Sequence, residues 1–520
     1  MTPLSKPLRS RLEATVKAAR DVAETAARAA LEHLGVGEPH APAHLTAEQR
    51  ELRRRLRLHG RQMGDIKHKD DRQDIRHLVW EVAYEHWRRM LFARFLAENH
   101  LLMHPDGVAV SLADCEELAK DEGAADGWEL AGRYAARMLP QVFRTDAPAL
   151  QVRLAPEHQR ELAKLVSGLE PEIFRAADSL GWVYQFWQAK RKDEVNASEV
   201  KIGADELPAV TQLFTEPYRV AFLLHNSLGA WWQTRYPGKP CPVDLTYLRT
   251  VSSPSPLGGE GRGEGQAVPA AGKFEGWPDT LKDFKLLDPC CGSGHFIVAA
   301  FHLLVPMRME AEGLSAREAV DAVIADNLHG LELDPRCVEI AAFALALAAW
   351  SYPDAEGYRA LPPLNIACCG LKVSAKAEDW AALVPDDAPR AVLLRQELKL
   401  LHASMREAPL LGSLLDPWRS LRNDLAATDY AELQAMLNTA LMCERPSLLN
   451  DGADLWDAAV SAQGLLDAAR LLAQRYHLVS TNAPYLARGK QSDPLKAFCV
   501  THYPDAKNDL ANVFLLNPCS

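Results

Sequence analysis

Apolar positions in the N-terminal part of the chain recur at helical spacing, as in Val79, Val82, Ala83 and Trp87, among Ala-, Glu- and Arg-rich surroundings. That period predicts a mostly α-helical domain over residues 1–205, followed by a further helical segment over 206–250. The pattern breaks at 251–276, where Gly258, Gly259, Gly261, Gly263 and Gly265 with flanking prolines cannot build a core. This stretch reads as a mobile linker or loop between the helical part and the C-terminal half of the chain. From about Asp279 short apolar runs alternate with helical patterns, which predicts an α/β fold with a parallel sheet and helices on both faces. Strands are expected near 284–288, 328–333, 364–368 and 477–482, with a cofactor-type unit over 277–370. A Leu- and Ala-rich helical insert, 371–475, separates the third strand from the segment 476–520.

Three segments carry chemistry. In LLDPCCGSGHF, Leu286–Phe296, an apolar strand ends at Asp288 and turns through Gly292 and Gly294 into a helix. Glycines let the backbone bend and a ligand approach, and the helix N-terminus offers free N–H groups and positive dipole. Dinucleotide-binding and plain strand-to-helix turns share this look. In GLELDP, Gly330–Pro335, Glu332 stands near the end of the next strand, where an acid can accept hydrogen bonds from ribose hydroxyls; helix capping is the other use of Asp288 and Glu332.

The third segment, Asn482-Ala483-Pro484-Tyr485, follows the apolar run Tyr476–Ser480. The exocyclic amine of a purine is a poor nucleophile because its lone pair is delocalised into the ring. Acceptors for its two hydrogens, the Asn482 side-chain oxygen and the Ala483 carbonyl, favour a localised lone pair, and Tyr485 can stack on an extruded base. The same four residues also fit a simple Asn-x-Pro turn.

Together these motifs resemble the adenine-specific DNA methyltransferases of the amino-group class, with DPxxGSG as the cofactor loop, the acid of GLELDP as the ribose ligand and NPPY as the catalytic tetrapeptide. The wider context is similar to the large methylases of restriction-modification and BREX-type phage-exclusion systems, over Leu78 to the C-terminus. The resemblance implies a class I S-adenosylmethionine-dependent methyltransferase, Rossmann-like with an incomplete sheet, behind a helical N-terminal domain. It implies S-adenosyl-L-methionine as cofactor, held by Thr215, Asp288, Pro289, Cys290, Gly292, Gly294, Glu332 and Asp334, with Asn482, Ala483, Pro484 and Tyr485 catalytic. Thr211–Gly229 resembles the helical element that supplies the cofactor's methionine end.

Two departures from the family pattern matter. Ala483 replaces the usual proline, which keeps the acceptor carbonyl and loses the ring that fixes φ; preceding Pro484, it is still steered from the α region. The sequence stops at Ser520 soon after Tyr485, so a C-terminally truncated or split polypeptide is expected, with double-stranded DNA, a complementing C-terminal polypeptide and other defence subunits as partners. The apolar run Leu510–Leu516 is then expected to lie exposed. Two other readings stay open: a non-catalytic assembly or DNA-binding subunit, and a protein glutamine amide methyltransferase, whose enzymes share NPPY. Cytosine ring-carbon methylation is disfavoured because no cysteine stands on the Asn482–Tyr485 loop.

Composition changes the picture little. With 48% hydrophobic and 24% charged residues the chain is ordinarily globular. Ten cysteines, without a CxxC, argue against a disulfide framework or zinc site and for a cytoplasmic protein. No apolar stretch is long enough to span a membrane. The net charge of −11 does not advertise nucleic-acid binding. Glu51–Arg72 concentrates Arg53, Arg54, Arg55, Arg57, Arg61, Lys67 and Lys69, which fits a solvated helical face or phosphate contacts. Trp182, Tyr184, Phe186 and Trp187 fit a packing face or a stacking platform.

Overall fold

A computed structural model of the chain describes residues 3–143, 147–211, 213–252, 267–272, 274–371, 373, 376–416 and 464–516. The chain divides into two compact units, one comprising residues 1–197, 372–402 and 431–462, the other 198–371, 403–430 and 463–520.

The described part of the first unit is helical. Its longest helices, Lys6–His33 and Arg76–Glu98, bury the positions their apolar period selects, including Leu12, Val16, Val79, Val82 and Trp87. Trp182, Tyr184, Phe186 and Trp187 are all buried, and Trp187 stacks on Trp87 with ring centroids 6.0 Å apart. They form a packing face. The arginine run divides: Arg54, Arg61, Lys67 and Lys69 are exposed, the solvated face that was one expected use, while Arg53 and Arg57 are buried. Arg53 donates from Nε to the Gly35 carbonyl at 2.9 Å, and Arg57 donates to the carbonyls of Val36, Glu38 and Asp71 at 2.6–2.7 Å. Arg54 pairs with Glu51, Arg55 donates to Gln151, and Lys67 pairs with Asp71. Arg53 and Arg57 of helix Ala47–Met63 thus match carbonyls of the loop at 35–38, of which, among the described residues, those of Val36 and Glu38 accept no backbone N–H.

In the second unit, β1 (Thr250–Ser252) pairs antiparallel with β2 (Ala267–Pro269). The Gly/Pro-rich stretch expected as a linker thus has its two ends side by side, inside one unit; residues 253–266 lie outside the described part. The main sheet is parallel: β3 (Leu286–Asp288), β4 (Leu328–Glu332), β5 (Asn365–Cys368) and β6 (Leu478–Val479), in the order β5-β4-β3-β6. Each strand falls where the apolar runs predict it, but β6 is two residues long, so Ser480–Asn482 leaves the ladder after Ser480 donates to the Leu287 carbonyl at 3.0 Å.

Alternation along β3 assigns its neighbours. Leu286 packs into the core made with helices His295–Glu312 and Pro335–Trp350, including Ile297, Phe301, Ala341 and Leu345. Leu287 packs on the opposite face with Leu331, Ala468 and Leu471. The sheet is therefore covered on both faces, the arrangement its near-continuous apolar strands require. Of the insert 371–475, the described parts are helical at Ala377–Ala382, Ala391–Met405 and Ala408–Leu411, and residues 417–463 lie outside the described part. The run Leu510–Leu516, expected exposed, is corrected: helix Leu510–Leu515 buries Leu510 and Val513 on one face and leaves Leu515 and Leu516 outside. Helical period, not overall apolarity, decides which of these side chains is covered.

Candidate active site

The predicted residues converge at the carboxyl ends of β3, β4 and β6. The turn after β3 is shaped by two glycines in the left-handed region, Gly292 with φ +53° and Gly294 with φ +81°. A Cβ on Gly294 would lie 2.8 Å from the Ala341 Cα, so only glycine lets the turn seat against helix Pro335–Trp350. A Cβ on Gly292 would meet nothing within 4 Å, which leaves open space above the turn.

Asp288, at the tip of β3, is 1% exposed. Its Oδ1 accepts from the Cys290 N–H at 3.1 Å, while its Oδ2 makes no hydrogen bond of ordinary geometry. Burial pushes its carboxyl up to about 7; the Thr481 hydroxyl and the Cys290 N–H favour the charged form, and the nearby Glu332 opposes it. Glu332 is also pushed up to about 7 by burial, against the pull of three backbone N–H groups. Those donors are Gly292 to Oε2 at 2.8 Å, and Leu333 and Asp334 to Oε1 at 2.8 and 3.1 Å. Glu332 thus clasps the glycine turn to the loop after β4, and a carboxylate's four acceptor positions leave it one to spare. Asp334 does neither job: it caps helix Pro335–Trp350 through the Arg336 N–H and is held by the Arg336 guanidinium at 2.9 Å on both oxygens. Pro289 is buried beside Asp288, and the thiols of Cys290 and Cys291 are raised by burial, which keeps them neutral.

From β6 the chain runs into the Asn482–Tyr485 loop. The Asn482 Nδ2 donates to the Leu213 carbonyl at 3.1 Å. Because a carbonyl only accepts, it engages the amide's NH₂ end and leaves Oδ1 as the acceptor of this side chain. Ala483 and Pro484 are half-buried, and Tyr485 is 67% exposed. The segment that holds Asn482 also brings Thr215, whose buried Oγ1 has no hydrogen-bond partner, and Phe214, whose ring lies 4.7 Å from that of His295.

His295 and Thr481 complete the constellation, and no motif in the sequence marks either as a site residue. Both ring nitrogens of His295 are sealed from water without a hydrogen-bond partner, and burial lowers its pKa to about 4, so the ring is neutral. The Thr481 Oγ1 is likewise buried; it makes no hydrogen bond of ordinary geometry, yet it lies close enough to Asp288 to favour the charged carboxylate. The one available signal is position: His295 directly follows the Gly-Ser-Gly turn, and Thr481 precedes Asn482. Polar atoms buried without a hydrogen-bond partner occur in both units among the described residues; at this end of the sheet they are contributed by Thr215, Asp288 and His295. Among the described residues no group of three or more His, Cys, Asp or Glu side chains is arranged to hold a metal, and no helix is long and apolar enough to cross a membrane.

Residues 267–389 match the family model of the MmeI DNA-methyltransferase domain. The chain is 28% identical to the adenine-specific methyltransferase BrxX of Escherichia coli O9:H4 (strain HS) over 377 residues, 68% of the chain and 29% of that protein. It is 24% identical to the adenine-specific methyltransferase PglX of Lacticaseibacillus casei (strain Zhang) over 524 aligned residues, 91% of the chain and 41% of that protein. A PglX of Streptomyces coelicolor (strain ATCC BAA-471 / A3(2) / M145) is 28% identical over 206 residues, 39% of the chain and 12% of that protein. The chain spans less than half the length of these curated relatives. Over these spans the chain is similar to adenine-specific methyltransferases, and the residues that match a DNA-methyltransferase domain hold β3 to β5 and the glycine turn.

Proposed function

We propose that the chain transfers a methyl group from S-adenosylmethionine to the exocyclic amine of adenine in DNA. The observation that carries this reading is the orientation of Asn482: its NH₂ is occupied by the Leu213 carbonyl, so its oxygen is the end available to an amine. With the Ala483 carbonyl taking the second hydrogen, the pair favours a tetrahedral nitrogen with a localised lone pair over the planar ground state, which is stabilisation by dipoles fixed in advance. Tyr485, exposed beside them, offers a ring for an extruded base to stack on.

The sheet supports the reading. Successive strands of β3, β4 and β5 progress one way and β6 is added on the other side of β3, so the order reverses between β3 and β6. In a Rossmann-like, class I arrangement the ligand lies at that crevice, between Asp288 and the Thr481–Tyr485 loop. The residues fit S-adenosylmethionine, because the Asp288 Oδ2 and the Thr215 Oγ1 are buried polar atoms that make no hydrogen bond of ordinary geometry. Asp288 and Thr215 would hold its methionine end, Glu332 its ribose hydroxyls through the remaining acceptor position, and Pro289, Cys290, Gly292 and Gly294 would line the turn. Asp334, committed to Arg336, would act by fixing the loop after β4. The cofactor supplies a methyl group activated by a sulfonium.

Incubation of the chain with labelled S-adenosylmethionine and unmethylated duplex DNA, followed by digestion to nucleosides, tests the reading. Label in N6-methyladenine is expected. Label in protein glutamine instead, or none with the cofactor bound, would overturn it.

A further inference from the structure

Beside the Asn482 loop the second unit carries an aromatic and basic surface that the methyl-transfer reading does not use. On helix Pro217–Leu224, Val220 and Leu224 are buried, while Tyr218, Phe222 and Leu223 are 51%, 36% and 44% exposed. An amphipathic helix of this kind normally shows polar residues to water; here the outer face is aromatic and aliphatic.

Cations are set between the rings. The Arg219 Nε donates to the Tyr218 hydroxyl at 2.9 Å, and its guanidinium is close enough to Tyr485 for the two to interact electrostatically. The Arg249 guanidinium lies 5.4 Å from the Phe222 ring centroid. That placement is built: Asn226, on the π turn His225–Gly229, donates to the Phe222 and Tyr247 carbonyls at 2.9 and 2.7 Å and accepts from the Arg249 N–H at 2.9 Å. Tyr247 is itself 40% exposed. Both arginines are exposed, and among the described residues neither forms a salt bridge, although Glu216 lies near enough to Arg219 to act on its charge. In a chain of net charge −11 this departs from the internal pairing of the N-terminal arginines.

Alternating rings and guanidiniums suit one partner, a nucleic-acid strand, whose sugars pack on the rings and whose phosphates pair with the cations. We propose that Tyr218, Arg219, Phe222, Tyr247 and Arg249 form the bed for the backbone of the DNA strand flanking the target adenine, continuous with Tyr485. Arg219 and Arg249 each neutralise a phosphate, and Tyr218, Phe222 and Tyr247 pack on the neighbouring sugars. The proposal rests on the methyl-transfer reading for the identity of the strand.

The test is duplex binding by the full chain across a salt series, for Arg219→Gln, Arg249→Gln and the double variant. Removing one phosphate-neutralising guanidinium should weaken binding on all sequences and lower the log–log salt slope by about one per substitution. Phe222→Ala and Tyr247→Ala should lower affinity with the slope unchanged. Thermal unfolding of each variant, expected at an unchanged Tm, reports the fold. Unchanged slopes, a slope change accompanied by a lowered Tm, or no DNA binding by the unsubstituted chain would each overturn the strip. So would a dimer in sedimentation that Phe222→Ala dissolves, since the face would then be covered by a second copy. The two readings separate cleanly: methyl transfer with unchanged slopes sinks the strip alone, and strip-dependent binding without methyl transfer sinks the chemistry alone.

Discussion

The arginine-rich helix Ala47–Met63 and the carboxyl end of the sheet use charge in opposite ways. On the helix, Arg53 and Arg57 are buried and matched to backbone carbonyls, so these two hold their own loop while Arg54 and Arg61 stay on the solvated face. At the sheet end few charges are present, and Asp288, Thr215 and His295 keep buried polar atoms that make no hydrogen bond of ordinary geometry. Such atoms also occur in the helical unit, on Trp87 and His158, so it is their position beside an open glycine turn that sets these apart.

The largest effect that sharpens this contrast is expected at Asn482. Asn482→Ala removes an acceptor that acts mainly in the transition state and should lower turnover about a hundredfold or more while cofactor affinity stays within a few fold. Single-turnover methyl incorporation measures it. Near-normal turnover in the variant would falsify the assigned role.

A smaller effect, with a pH signature, is expected at Asp288. Its folded pKa near 7 lies above the ordinary 3.8, so the folded chain holds a proton that the unfolded chain has released. Stability contributed by this group is therefore highest at low pH and declines as pH rises from about 4 through 7. A cationic ligand favours the ionised carboxylate, so cofactor affinity should rise as pH passes through 7. Asp288→Asn should flatten that rise and weaken binding above it by about 1.5–3 kcal/mol, the loss of one charged hydrogen bond. Calorimetric titration at several pH values checks both; a wild-type affinity independent of pH counts against a ligand charge at this carboxylate.

Arg57→Ala probes the other side of the comparison. It strands the Val36 and Asp71 carbonyls and should cost about 1–3 kcal/mol of stability, seen as a lower Tm, with the salt slope of DNA binding unaltered. The reverse pattern, unchanged Tm and a reduced slope, would return this helix to the role of a phosphate contact.

The smallest change is expected for Ala483→Pro. Among the described residues no backbone partner accepts the Ala483 N–H, so proline removes no backbone hydrogen bond and adds rigidity before Pro484. Activity should be kept or modestly raised. A large loss would mean that the Ala483 N–H, rather than its carbonyl, serves the site.

Much of the fold was legible from period alone. β3, β4 and β5 lie where continuous apolar runs are bounded by glycine or acidic residues, since buried parallel strands need apolar side chains on both faces. The glycine turn was legible because positive φ at Gly292 and Gly294 restricts the residue type. What period does not encode is pairing between distant segments. The fate of the arginine run depends on carbonyls in the loop at 35–38 and at Asp71, and the antiparallel pairing of 250–252 with 267–269 turns a stretch that reads as a linker into an excursion within one unit.

The sequence by itself determined the kinds of chemistry available: an acid at the end of a strand, a glycine turn into a helix, and an Asn-Ala-Pro-Tyr loop after an apolar run. Only the tertiary structure decided which of these groups are spent and which remain. Asp334 is taken by Arg336, and Glu332 is mostly taken by the N–H groups of Gly292, Leu333 and Asp334. Asp288 keeps one oxygen without a hydrogen bond of ordinary geometry, and the Leu213 carbonyl takes the NH₂ end of Asn482. The physical reason is that a hydrogen-bonding group's type is local, whereas its satisfaction depends on whatever donor or acceptor the fold brings within about 3 Å, often from hundreds of residues away.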